Sequence, residues 1–231
     1  MDPSEFDRYA DAYLKDHRAN IAISGEAPEY FHAYKVSEAE RFCDEAGLAP
    51  QTVLDFGSGI GNSLPFLRQA FGEARICCAD VSTRSLEIAE GRFPGAHAEF
   101  LRIAGDALPL ADGTVDLAFT ACVFHHIAPG EHGRWLSELR RVTRAGGLLV
   151  LFEHNPLNPL TRHAVNTCPF DANARLQRAG TLAGRVRDAG WRAPQIRYHV
   201  FFPRLLAALR PLEKRLGWLP LGAQFSIVAT A

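Results

Sequence analysis

The sequence predicts an α/β fold: a parallel sheet covered on both faces by helices. Short β-branched apolar runs alternate with amphipathic segments at helical spacing, the pattern of strands joined by crossover helices. One run, Val53 to Asn62, reads as a buried strand that turns abruptly on Gly57, Gly59 and Gly61 into a helix. Acids then follow two later strands, Asp80 and Asp106, at the strand ends where open α/β sheets bind ligands.

Thr52 to Phe56 is apolar and β-branched, as a strand buried on both faces should be, and Ser63 to Ala70 is a good helix. Arg75 to Ala79 is a second strand, and Ser82 caps a helix running to Arg92. The third strand lies near Ala98 to Ile103 and the fourth at Val115 to Cys122. Glu131 to Thr143 is a helix ended by Arg144-Ala145-Gly146-Gly147, before a fifth strand at Leu148 to Phe152. Right-handed crossovers join these five.

Beyond Glu153 the texture changes. Pro156, Pro159 and Pro169 interrupt a loop, followed by a helix near Leu176 to Ala189 and a strand around Gln195 to Phe202. Pro203 opens a basic helix to Leu216, and Phe225 to Thr230 is a last strand. Residues 1–48 precede the sheet with two expected helices, Ser4 to His17 and Tyr34 to Ala46. They are read as a helical cap over the cofactor mouth, with residues 49–231 as the main domain.

Composition narrows the class. The chain has 231 residues and is 47% hydrophobic, enough for a sizeable core. No run approaches the roughly 18 consecutive apolar residues of a membrane span, and Met1 to Lys15 is acidic and polar, so a cytoplasmic protein is expected. The five cysteines show no metal spacing and read as buried small hydrophobes, with Cys77 and Cys78 on opposite faces of one strand. The net charge of −1 hides an asymmetry: 12 acids against 5 bases in residues 1–60, and 11 bases against 3 acids in residues 160–231. The basic end lacks the interleaved aromatics of a nucleic-acid platform, so no nucleic-acid partner is expected. Its segment from Pro203 to Leu216, with Trp218, Leu219 and Leu221, could cover the sheet edge or touch a membrane or lipid-linked substrate.

A glycine-rich turn alone also suits a dinucleotide, but here the glycines are spaced GxGxG rather than GxGxxG. Asp80, at the end of the second strand, can take both hydroxyls of a ribose. Asp106, in Gly105-Asp106-Ala107-Leu108-Pro109, can accept from an adenine amino group. With the Val115-Asp116-Leu117 strand leading to His125-His126-Ile127, these motifs make residues 50–155 resemble the class I S-adenosylmethionine-dependent methyltransferases.

The resemblance implies a Rossmann-like, seven-stranded sheet, mostly parallel with its last strand antiparallel, and a small-molecule acceptor. It implies that Asp55, Gly57, Ser58 and Gly59 approach the methionine part and that Asp80 and Val81 hold the ribose. Asp106 and Ala107 would contact adenine, and Cys122 and Val123 would line the sulfonium end. A sulfonium carries an activated methyl, so transfer asks for alignment and a dry site, and no metal is called for.

A hydroxyl acceptor benefits from a base, which makes His125 the candidate, and the similarity to some amine methyltransferases implies Tyr9 or Tyr13 of the cap as its partner. Tyr9, His126, Glu153, His154 and Asn155 are candidates for holding the acceptor. O-methylation is slightly preferred over N-methylation of an amine. An NAD-dependent oxidoreductase and a non-catalytic partner subunit are the rival classes. The acceptor and the oligomeric state are not legible.

Overall fold

Seven strands form one sheet in the spatial order β3-β2-β1-β4-β5-β7-β6. They are β1 (Thr52–Phe56), β2 (Arg75–Asp80), β3 (Ala98–Arg102), β4 (Val115–Ala121), β5 (Thr143–His154), β6 (Arg192–His199) and β7 (Gln224–Thr230). The computed structural model describes Asp7 and residues 24–231. Strands β1 to β5 pair in parallel, and β7 runs antiparallel to both neighbours, β5 and β6. The strand order reverses between β1 and β4, which opens a crevice beyond their carboxyl ends.

Helices α1 (Pro28–Glu45) and α2 (Leu64–Phe71) cover one face, and α4 (His132–Val142) and α6 (Ala179–Asp188) cover the other. Between them α3 (Thr83–Arg92) follows β2, and α5 (Pro159–Thr167) follows β5. The period-2 alternation of the strands divides the core. Val53, Ile76 and Cys78 point to the α1/α2 side, while Leu54, Phe56 and Cys77 point to the α4/α6 side. Trp135 on α4 and Trp191 before β6 fill the second layer, where each fully buried aromatic stabilises the fold by about 1.5–3 kcal/mol.

Several elements differ from expectation. The fifth strand starts at Thr143 rather than Leu148, because α4 stops at Val142 and the ladder with β4 absorbs an irregularity between Val115 and Leu117. Gly147 fits there because a Cβ would lie 2.7 Å from the Asp116 carbonyl oxygen. The proline-rich stretch after Glu153 is partly helical. Asn158 caps α5 by accepting the Thr161 N–H at 3.0 Å, and Pro159 takes the first helical position, where no N–H is needed.

The basic segment after Pro203 is a broken 3₁₀ helix, Arg204–Leu212, with one α-helical turn, α7 (Glu213–Leu216). Its backbone leaves helical angles at Leu206 (φ −107°, ψ 22°), five residues before Pro211. Leu205, Leu206, Leu209 and Leu212 of this segment remain exposed, as does Trp218. No helix among the described residues is long and apolar enough to cross a membrane. The expected helix Ser4 to His17 lies outside the described residues, apart from Asp7.

Candidate active site

The crevice holds a cavity of about 340 Å³. Its floor is the turn after β1. The Gly57 N–H donates to the Ala79 carbonyl at 2.8 Å, which anchors the turn to β2. Gly57 has φ +75°, and a Cβ there would sit 2.4 Å from Val123, so only glycine fits. Gly59 has φ +52° and open space where a Cβ would be, so its backbone faces the cavity bare. Such a bare turn lets a ligand lie against the peptide plane.

Two acids stand at this turn. Asp80 is buried and accepts the Gly59 N–H at 2.8 Å and the Ser82 N–H at 2.9 Å. Burial raises its pKa, and the backbone donors partly offset this. Asp55 is buried without such compensation. Burial, with Asp80 as a second charge, pushes its carboxyl up to about 7. Its Oδ2 and the Ser58 hydroxyl, both at the cavity wall, have no hydrogen-bond partner among the described residues. Buried polar atoms are normally satisfied, so this pair marks a place prepared for a polar ligand. Asp7 reaches the same rim, accepting the Ser82 hydroxyl at 2.5 Å.

The second wall comes from the tip of β4. Cys122 there adopts φ +60°, a left-handed conformation strained for a residue with a side chain. Its Sγ lies 3.4 Å from the buried Lys35 ammonium of α1 and 3.8 Å from the Gln224 amide nitrogen of β7. Burial alone would raise the thiol, but His154 and Lys35 bring it down to about 7. The Gln224 amide also lies 3.4 Å from His154 Nδ1, and its oxygen accepts from the Tyr34 hydroxyl. Burial opposes protonation of His154, and the neighbouring Cys122 outweighs it, so the ring's pKa is raised.

A third group lies beside it. His125 sits in a 3₁₀ turn, Phe124–His126, with Nδ1 2.7 Å from Glu153 and Nε2 3.5 Å from Asp171. Glu153 also accepts the backbone N–H of His125 and of His154, so the end of β5 fixes its carboxylate. Burial works against a charged ring, yet the two carboxylates prevail and hold His125 protonated well above its ordinary pKa. The same contacts, working against burial, lower Glu153 and Asp171 to about 2. His126 Nε2 lies 3.4 Å from the same Asp171 oxygen, while burial and the His125 charge push its pKa down to about 3.

The structure thus brings Asp55, Gly57, Ser58, Gly59, Asp80, Val81, Cys122, Val123, His125, His126 and His154 around one cavity. Both ring nitrogens of His125, the expected base, face carboxylates. Asp106 and Ala107 do not reach the cavity lining. Asp106 has 79% of its side chain exposed and pairs with Arg134 of α4. Asn155 is a clasp rather than a wall: its amide donates to the carbonyls of Pro220 and Gly222, at 3.1 and 2.8 Å. Glu153 lies behind His125. Tyr9 and Tyr13 fall outside the described residues.

Sequence reasoning placed neither Gln224 nor Asp171 in the site. Gln224 was findable from the β5–β7 ladder, where it stands opposite His154. No spacing signal marks Asp171, which reaches His125 through a 3₁₀ turn at Pro169–Asp171.

Comparison with known proteins bears on this geometry directly. Residues 53–147 match the family model of a methyltransferase domain. That stretch is similar to a methyltransferase domain, and the whole sheet shares the fold of S-adenosylmethionine-dependent methyltransferases. An uncharacterized methyltransferase of Mycobacterium sp. (strain JLS) is 33% identical over 125 residues, 54% of this chain and 47% of that one. Another, from Mycobacteroides abscessus, is 29% identical over 164 residues, 66% of this chain and 61% of the relative. The chain therefore spans about half the length of the first of these relatives and under two thirds of the second. In fold the methyltransferase domain is similar to a crystal structure from Thermotoga maritima described as a possible histamine N-methyltransferase. The TM-score is 0.68 at 19% identity, covering 99% of this chain and 98% of that one.

Proposed function

We propose that this protein transfers a methyl group from S-adenosylmethionine to a hydroxyl of a small molecule. The observation that carries the reading is the glycine turn. It presents bare backbone at Gly59 beside two buried acids and two polar atoms without a partner among the described residues, in a stretch that matches a methyltransferase domain. These residues fit the cofactor. Asp55 and Ser58 would hold the methionine amino end, Gly57 and Gly59 would lie against its chain, and Asp80 with Val81 would take the ribose. Cys122 and Val123 would line the sulfonium end.

When bound, the cofactor supplies a methyl carbon already activated for displacement. The protein's part is to align the acceptor oxygen and exclude water. Lys35, Phe31 and His32 of α1 reach the cavity wall, which supports reading residues 1–48 as a cap. The acceptor's proton needs a site that titrates near neutrality. Cys122 and His154, hydrogen-bonded to each other, are the pair we assign to that task.

Calorimetry tests the reading. Micromolar binding of S-adenosylmethionine, abolished in Asp80→Ala, is the expected outcome. A folded wild-type protein that takes up no cofactor would refute it.

A further inference from the structure

Among the described residues, His125, His126 and Asp171 are the one group of imidazole, thiol and carboxylate ligands whose donor atoms all lie within 4.8 Å of one another. All three line the cavity. We infer that they form a binding site for a divalent transition-metal ion of the zinc class.

The distances suit such an ion. Bonds of about 2.0–2.1 Å at tetrahedral angles hold ligand atoms roughly 3.3–3.4 Å apart. His126 Nε2 to Asp171 Oδ1 is 3.4 Å, and His125 Nε2 to the same oxygen is 3.5 Å. The third edge joins adjacent residues of one 3₁₀ turn and closes on a rotation of the His126 ring, which is only partly buried.

The surroundings resemble those of a ligating histidine. A metal-bound imidazole usually gives its other ring nitrogen to a carboxylate, which fixes the ring and strengthens the ligand. His125 Nδ1 meets Glu153 at 2.7 Å, and that carboxylate is itself held by two backbone N–H groups. A second lock acts on the far side, where the Arg175 N–H donates to the His125 carbonyl at 2.8 Å. The donor set also selects the ion: two imidazoles and one carboxylate favour zinc, cobalt or iron(II) over magnesium or calcium, which prefer all-oxygen sites.

Three protein ligands leave a position open to the cavity, where water or an acceptor oxygen completes the shell. On the methyltransferase reading proposed above, this site would select acceptors bearing an oxygen able to bind a metal. The metal site itself stands or falls separately.

The test uses the full-length protein stripped with a chelator, without cofactor. Titration with Co²⁺ should saturate at one equivalent with the visible absorption of a four- or five-coordinate ion, and Zn²⁺ should displace it. His126→Ala and Asp171→Asn should each abolish the band. Glu153→Gln should keep it but weaken binding by about 10- to 100-fold.

Asp80→Ala should retain the cobalt spectrum while losing S-adenosylmethionine, which separates failure of the cofactor reading from failure of this one. A wild-type protein that leaves Co²⁺ with the spectrum of the aqueous ion would overturn the proposal whatever the variants do. So would a His126→Ala protein that binds as tightly as wild type.

Discussion

Asp55 carries a cost that the fold alone does not repay. Its pKa of about 7 means that the folded protein keeps a proton which the unfolded chain releases near pH 4. The resulting stability is present below the unfolded pKa and is lost as pH rises through 7. Asp55→Asn removes that penalty at equal volume. The variant should melt at higher temperature than wild type at pH 7 and above, with the gap closing toward pH 4, and it should bind S-adenosylmethionine more weakly. Thermal melts and calorimetry check both halves.

Cys122 offers a second residue-scale expectation. With its thiol at about 7, it should react with iodoacetamide at neutral pH well ahead of Cys43 and Cys168, whose thiols burial pushes up to about 12. S-adenosylmethionine should protect it. Equal labelling of all three would contradict the local electrostatics. Asp55, Gly57 and Asp80 were legible in the sequence because each stands at a strand end, where position implies ligand contact. Lys35 and Tyr34 were not legible as site residues, since they reach Cys122 and Gln224 across gaps that no spacing rule spans.

At the scale of elements, β1 begins where Asp116 ties it down. Asp116 Oδ2 accepts the N–H groups of Gln51 and Thr52 at 2.9 and 2.8 Å, and Arg144 pairs with its other oxygen. The contact clamps β4 and the start of β5 to the head of the strand that carries the glycine turn. Asp116→Ala leaves two backbone donors without their partner and should cost about 1–3 kcal/mol in denaturant unfolding. An unchanged midpoint would show that water replaces the carboxylate freely.

The strands themselves were readable, because burial on both faces leaves an apolar signature that the chain cannot hide. Boundaries set by long-range contact were not. The early start of β5 depends on Gly147 passing the Asp116 backbone, and the helix after Pro203 breaks at Leu206, where no proline stands to mark it. The motif around Asp106 was legible as a sequence, yet its carboxylate pairs with Arg134, a partner on α4 that only the packed fold supplies.

For the whole molecule, the buried charges of the cavity dominate the pH dependence of stability. Glu153 and Asp171 have pKa values near 2, below their unfolded values, so their contribution is complete above about pH 4.5 and is lost as pH falls toward 2. His126 and His199 are depressed to about 3 and 4, so the unfolded chain takes up their protons first, and stability drops further below about pH 6.5. His125 acts in the opposite sense. Its raised pKa gives stability that is complete below about pH 6.5 and is lost as pH rises through the folded value. His154 and Asp55 add to that alkaline decline.

In the metal-free protein the melting temperature should therefore peak near pH 6 and fall on both sides, measured by circular dichroism in buffers of constant ionic strength. His126→Ala should soften the acid limb, because it removes a group that the unfolded state protonates and the folded state does not. A melting temperature that climbs steadily to pH 9 would mean that His125 is neutral in the native protein. The Glu153–His125–Asp171 arrangement would then be a neutral ring between two carboxylates rather than a buried cation between two anions.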